Sequence, residues 1–187
     1  MLNLKNVLKQ LDYDSFLEGW SWYKEAHAWA CEVSDITGHP LEVVCAVLAC
    51  VSPAVRWDIN KRDAYALLSS GTKAHKIMIS SYGLNKTKAI KIMETGDTSI
   101  LSGKKVVSFY HNILNPECPK NITIDRHAYR AYKQRSGSSS RGAVSLTPKK
   151  YDLAGKAYKK LANRISKHLG INLTPNQVQA LVWIKIR

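Results

Sequence analysis

His39-Pro40-Leu41-Glu42-Val43-Val44-Cys45-Ala46-Val47-Leu48-Ala49-Cys50-Val51-Ser52-Pro53 is the stretch on which the fold turns. Pro40 has a fixed φ and no N–H, so it suits the first turn of a helix, where no intrahelical bond is lost. From Val43 to Val51 every side chain is apolar. A helix without a polar face belongs inside a protein, and the run predicts a buried central helix. Pro53 disfavours helical geometry in Ser52 and ends it. The run is about half the roughly 20 residues that cross a bilayer, and no basic segment followed by an apolar core opens the chain. A soluble cytoplasmic protein is the expectation.

Outward from this helix, helix punctuation is frequent and strand signals are scarce. Towards the amino end, Leu2–Leu11 repeats apolar residues at helical spacing. Asp14-Ser15 is read as the cap of a second helix, whose Trp20, Trp22, Tyr23 and Trp29 have the chemistry to stack on bases but are for the most part read as core. Towards the carboxyl end the pattern predicts a helix over Asp58–Leu68, a short one over Lys73–Ile79, and a break at Tyr82-Gly83-Leu84-Asn85. Lys86–Met93 follows with Lys86, Lys88 and Lys91 on its polar face. Ser102-Gly103 is another break, and Lys104–Leu114 resumes with Val106, Val107, Tyr110, Ile113 and Leu114 along one face. Two prolines enforce a loop over Asn115–Asn121, Ile122-Thr123-Ile124 is briefly extended, and Asp125 stands at the N-cap of Arg126–Gln134. The Gly/Ser-rich segment Arg135–Ser145 reads as a mobile surface loop. Thr147-Pro148 and Thr174-Pro175 each pair a capping residue with Pro in the first turn, and Thr174-x-x-Gln177 completes a capping box. No internal repeat is present. The sum is a single all-α domain of nine or ten helices, and 187 residues suffice for one core burying about 70% of the unfolded surface.

The formal charge is +14, and it is unevenly placed. Residues 1–50 carry three Lys or Arg against seven Asp or Glu, while the remainder carries 25 against seven. A body this basic concentrates phosphate polyanions near itself. The basic residues are interleaved with helix starts rather than gathered in a tail, which favours nucleic acid over anionic lipid or a merely solubilising charge. Cys31, Cys45, Cys50 and Cys118 show no metal-ligand spacing. They are read as free, largely buried thiols in a reducing compartment.

Three stretches, in this order, resemble the helix-hairpin-helix DNA glycosylase family in its endonuclease III-like branch, and the resemblance covers nearly the whole chain. His39–Pro53 with the following Asn60 looks like the family's buried helix, DNA-facing loop and Asn-containing helix. Tyr82-Gly-Leu-Asn-Lys-Thr-Lys-Ala-Ile, leading into Ser102-Gly-Lys-Lys-Val, resembles the basic helix, the hairpin and its catalytic lysine. Ile122-Thr-Ile-Asp-Arg-His resembles the apolar-x-apolar-Asp-x-His signature, the most specific match. The closing Leu181-Val-Trp-Ile-Lys-Ile-Arg is similar to the last core helix. The resemblance implies a two-lobed glycosylase-like domain over residues 1–187, with a central lobe at about 40–125 and a second formed by 1–39 with 126–187. Two departures stand out. Ser99-Ile100-Leu101-Ser102-Gly103 keeps one glycine where the family hairpin has two, and the iron–sulfur cysteines are absent, so no cluster, other metal or cofactor is expected.

The resemblance also assigns roles. Cleaving a glycosidic bond builds positive charge on the deoxyribose, which a carboxylate stabilises, and Asp125 holds that place. A lysine amine can instead attack the anomeric carbon and form a Schiff base; Lys105 is the candidate, with Lys104 in the adjacent register. In the first turn of its helix, the dipole favours the neutral amine. The helix, loop and extended return between Lys105 and Asp125 can bring them to one sugar, and Asn112 lies on the same helix as Lys105. Ser102, Gly103, Lys104, Lys86, Lys88, Arg126, Arg130 and Arg56 are the DNA-binding candidates, and Ser52, Trp57 and His127 the base-pocket candidates. Arg56 or Trp57 would fill the gap left by an extruded base. Each has a plainer reading: Asp125 as a helix cap, Lys105 as a phosphate contact, His127 as a helical histidine, Trp57 as core. The implied partner is double-stranded DNA with a modified or damaged base, bound by a monomer in the cytoplasm, or the host cytoplasm if the chain is phage-encoded. Two alternatives stay open: a phage-type base-hypermodification enzyme, and a glycosylase-shaped DNA-binding protein without chemistry.

Overall fold

The computed structural model describes residues 12–133 and 145–186. The helix read at Leu2–Leu11, Gln134 and all of the Gly/Ser-rich segment except Ser145 lie outside them. The described residues are all-helical, with no strand among them. Eight α-helices are seen: α1 (Tyr13–Thr37), α2 (Leu41–Cys50), α3 (Trp57–Leu68), α4 (Gly83–Thr95), α5 (Lys104–Leu114), α6 (Arg126–Lys133), α7 (Pro148–Leu169) and α8 (Pro175–Ile186). Short 3-10 turns cover Gly71–Lys76 and Thr98–Ile100. The chain divides into two compact units, one of Glu25–Pro116 and one drawn from Met1–Lys24 and Glu117–Arg187.

The unit of Glu25–Pro116 is organised around α2. Every side chain from Val43 to Cys50 is buried, as a helix without a polar face requires. Helices α3, α4 and α5 pack against it. The helix stops at Val51, and the Ser52 hydroxyl turns back to donate to the Ala49 carbonyl at 2.9 Å. Burial first, and then the Cys31 and Glu42 charges, raise the Cys45 thiol to about 12, and burial raises the Cys50 thiol to about 11. All four cysteines are free; Cys45 and Cys50 are buried, Cys31 and Cys118 half-buried.

The unit departs from the sequence expectation at two places. The Lys73–Ile79 helix is a 3-10 turn over Gly71–Lys76, and Ile77 is already extended. Tyr82-Gly83-Leu84-Asn85 is not a break but the start of α4: Tyr82 is extended, and its carbonyl accepts from the Asn85 and Lys86 amides at 2.9 and 3.2 Å. Glycine at a helix start costs little, because the first turn lacks backbone bonds in any case. The helix closes on Gly96, whose φ of 70° supplies the left-handed C-cap.

In the other unit α6, α7 and α8 pack pairwise. Their core gathers Ile122, Ile124, Tyr129, Tyr158, Leu173, Val178 and Val182. The capping box at Thr174 forms: the Thr174 amide donates to Gln177 Oε1 at 2.9 Å, and the Gln177 amide to Thr174 Oγ1 at 3.4 Å. Thr147 Oγ1 likewise accepts from the Lys150 amide. The expected cap of α1 moves back two residues. Asp12, not Asp14-Ser15, accepts from the Ser15 amide at 2.8 Å and from its hydroxyl at 3.1 Å, and these bonds hold its carboxyl below the usual range. Gly19 on α1 faces the Leu181 backbone so closely that an added Cβ would lie 2.7 Å from its Cα. Among the described residues, no single helix is long and apolar enough to cross a membrane.

Candidate active site

The candidate residues fall in both units, and each cluster is built by its own elements. In the unit of Glu25–Pro116 they are carried by the loop after α2, by α4, and by the turn into α5. The loop Ser52–Arg56 holds Ala54 at a φ of 63°, the one positive φ outside glycine among the described residues. A left-handed alanine costs roughly 1–2 kcal/mol, so the surrounding structure must impose it. Two bonds tie this loop and the end of α2 to the start of α4. Ser81 Oγ donates to the Pro53 carbonyl at 3.4 Å, and Cys50 Sγ to the Asn85 carbonyl at 3.3 Å. Ser52 is half-buried at the end of α2. Arg56 is extended and 82% exposed, paired with Asp58 at 3.4 Å. Trp57 opens α3 half-buried; its ring meets Phe109 of α5 edge-on at 6.4 Å, and Lys61 Nζ lies 5.6 Å above it.

Helix α4 and the turn into α5 are joined directly. Lys88 Nζ donates to Ser102 Oγ at 2.6 Å, while Lys86 Nζ donates to the His75 carbonyl at 2.6 Å. Gly103 has φ 84° and ψ 129°, a conformation that suits only glycine, and α5 begins at the next residue with no side chain capping it. Lys104 is exposed and Lys105 half-buried in that first turn, where backbone N–H groups lack intrahelical acceptors. Such a turn presents amides and ammonium groups together, which is the chemistry that holds a phosphate. Asn112 is buried on the same helix.

In the other unit, Asp125 follows Ile122-Thr123-Ile124, all three buried and outside any helix. The segment has no neighbouring strand. Tyr151 of α7 takes that place: its hydroxyl donates to the Ile122 carbonyl at 2.7 Å and accepts from the Ile124 amide at 3.1 Å. Gly155, one turn on, faces Ile122, and an added Cβ would stand in ordinary contact 3.4 Å from Ile122 Cγ2. Asp125, itself half-buried, then caps α6, its Oδ1 accepting from the Ala128 amide at 2.7 Å. Tyr158 donates to the Ala128 carbonyl at 3.0 Å; burial, and then the nearby Asp125 charge, push its hydroxyl far above the usual range. His127 is half-buried and its Nε2 accepts from Arg126 Nε at 3.3 Å, while Arg126 and Arg130 are exposed.

Several residues of these clusters were not legible in the sequence. Tyr151 and Tyr158 carry no motif, and their targets lie 29 and 30 positions away. Asp63, 2% exposed, accepts from Arg62 Nη2 at 2.7 Å and from the Ser80 amide at 2.6 Å, which fastens the segment before α4 to α3. His27 Nδ1 lies 2.9 Å from the Ile113 carbonyl and its Nε2 3.5 Å from Cys31 Sγ. No group of three or more His, Cys, Asp or Glu side chains suited to a metal ion occurs among the described residues.

No curated protein and no solved structure matches the chain. Its sequence matches one family profile along almost the whole length, residues 2–187, and the chain therefore belongs to DUF7178, a family of unknown function.

Proposed function

We propose that this chain is a DNA glycosylase that cleaves or exchanges the N-glycosidic bond of a modified or damaged base in duplex DNA, with Schiff-base lyase activity at Lys105. The observation that carries the reading is the turn into α5: Gly103 at a positive φ, two lysines in the next helical turn, and Lys88 of the preceding basic helix bonded to Ser102. This is read as the helix-hairpin-helix element of a two-lobed glycosylase, with α4 and α5 as its helices. Its amides and Lys104 take a DNA phosphate, Lys86 and Lys88 add charge, and Lys105 attacks the anomeric carbon. Asp125 stabilises the positive charge that develops on the sugar. The strained loop Ser52–Arg56 is read as the part that enters the helix beside an extruded base, where Arg56, or Trp57 at the start of α3, fills the gap. Ser52 and His127 are read as pocket residues, and Arg126 and Arg130 as phosphate contacts.

Incubation with duplexes carrying modified bases, followed by borohydride, tests this. A trapped covalent adduct that disappears in Lys105→Ala is the expected result. Base release without an adduct removes the lyase part. Neither base release, exchange nor adduct on any duplex ends the catalytic reading.

A second reading has its own support. The Ala128 bond accounts for Asp125 as a helix cap without invoking chemistry. In that case the protein binds DNA through the same turn and basic helix and leaves the bases intact.

A further inference from the structure

Helix α7 buries one face and exposes another. Tyr151, Ala154, Gly155, Tyr158, Leu161 and Ala162 are buried, whereas Lys149, Lys156, Lys160, Arg164 and Lys167 are all exposed. With 3.6 residues per turn, those five cations fall within an arc of about 80°. At 1.5 Å per residue the stripe they form is about 27 Å long. The remaining two lysines on the outer side turn away from it: Lys150 Nζ donates to the Ser145 carbonyl and Lys159 Nζ to the Lys120 carbonyl. The stripe residues differ, since among the described residues none of the five has an ion-pair or hydrogen-bond partner. Asp152 is the single carboxylate on the helix.

This arrangement works against the helix itself. Lys156 and Lys160 are four residues apart, as are Lys160 and Arg164, and Lys167 follows three later. Like charges at such spacing repel across the helix surface and destabilise it. A merely solvated face is better served by mixed signs, which would be stabilising at the same positions. An external polyanion relieves the repulsion, and duplex DNA offers on the order of sixteen phosphate charges along the same length.

We propose that the outer face of α7 is a track for a nucleic-acid backbone, a second DNA contact separate from the turn into α5. The inference shares with the proposed function only the premise that DNA is the partner. The track carries no base-reading geometry and serves affinity and search along the duplex.

The test is the salt dependence of binding to an unmodified duplex several turns long, between about 50 and 200 mM salt. Removing three cations in Lys156→Gln, Lys160→Gln, Arg164→Gln is expected to reduce the log–log slope by about 2.7, at roughly 0.9 per phosphate contact. The charge-retaining triple, Lys156→Arg, Lys160→Arg, Arg164→Lys, keeps the wild-type slope. The glutamine triple also melts at the same temperature as wild type or higher, because repulsion has been removed, so lost binding is separable from lost folding. An unchanged slope in the glutamine triple, with the wild type binding DNA normally, overturns the track and leaves the glycosylase reading intact. Loss of binding to phosphatidylserine vesicles with no change in the DNA slope overturns it in favour of a membrane surface. A reduced slope in a protein that releases no base from any duplex supports the track while the glycosylase reading fails.

Discussion

Asparagine caps a helix as well as aspartate does, because both present a side-chain oxygen to an amide of the first turn. Asp125→Asn therefore keeps the bond to the Ala128 amide and removes the charge. On the glycosylase reading, base release falls by orders of magnitude while the melting temperature stays within a degree or two of wild type. Asp125→Ala loses the cap as well and costs about 1 kcal/mol of stability. Unchanged base release in Asp125→Asn would leave Asp125 as a cap alone. At this scale the sequence was a good guide to roles that depend on neighbours. An Asp before Arg126-His127 reads as a cap, and it is one. The displaced cap of α1 shows the limit: Asp12 and Asp14 are both competent, and only the side chain's reach to the Ser15 amide selects the first.

Between elements, the decisive contact is one hydroxyl. Tyr151 satisfies a carbonyl and an amide of the non-helical segment that leads into Asp125. Tyr151→Phe leaves both buried and unpaired, a loss of about 1–3 kcal/mol, and thermal denaturation should show a drop of about 2–4 °C for each kcal/mol. On the catalytic reading kcat falls with little change in KM, since the segment positions Asp125 but does not itself hold DNA. A melting temperature equal to wild type would show that the clamp contributes nothing. Most helices were legible because their signals are local. Pro at the first turn, threonine caps and the Thr174–Gln177 box fix ends within four residues. The start of α4 is not legible for the opposite reason. Tyr82-Gly83-Leu84-Asn85 has turn composition, yet the segment before it is fastened to α3 through Asp63 and Ser80, and the helix begins at once.

For the whole molecule, burial makes a prediction about thiols. With Cys45 raised to about 12 and Cys50 to about 11, about one Cys50 in a thousand is thiolate at pH 8, and fewer at Cys45. Maleimide labelling of the native protein, followed by peptide mass spectrometry, should modify the half-buried Cys31 and Cys118 first. Cys45 and Cys50 should react only with unfolding. Labelling of all four at one rate would contradict a packed α2. That α2 is central follows from its sequence alone, because a helix apolar on every side has nowhere else to go. The all-α class follows likewise, from periodicity and caps that act over a turn or two. Tertiary structure alone decided that Lys88 reaches Ser102, 14 positions on, and that Tyr151 stands in for a strand beside Ile122, 29 positions back. Bonds of that kind depend on how packed helices bring distant side chains within about 3 Å, and no local pattern encodes that distance.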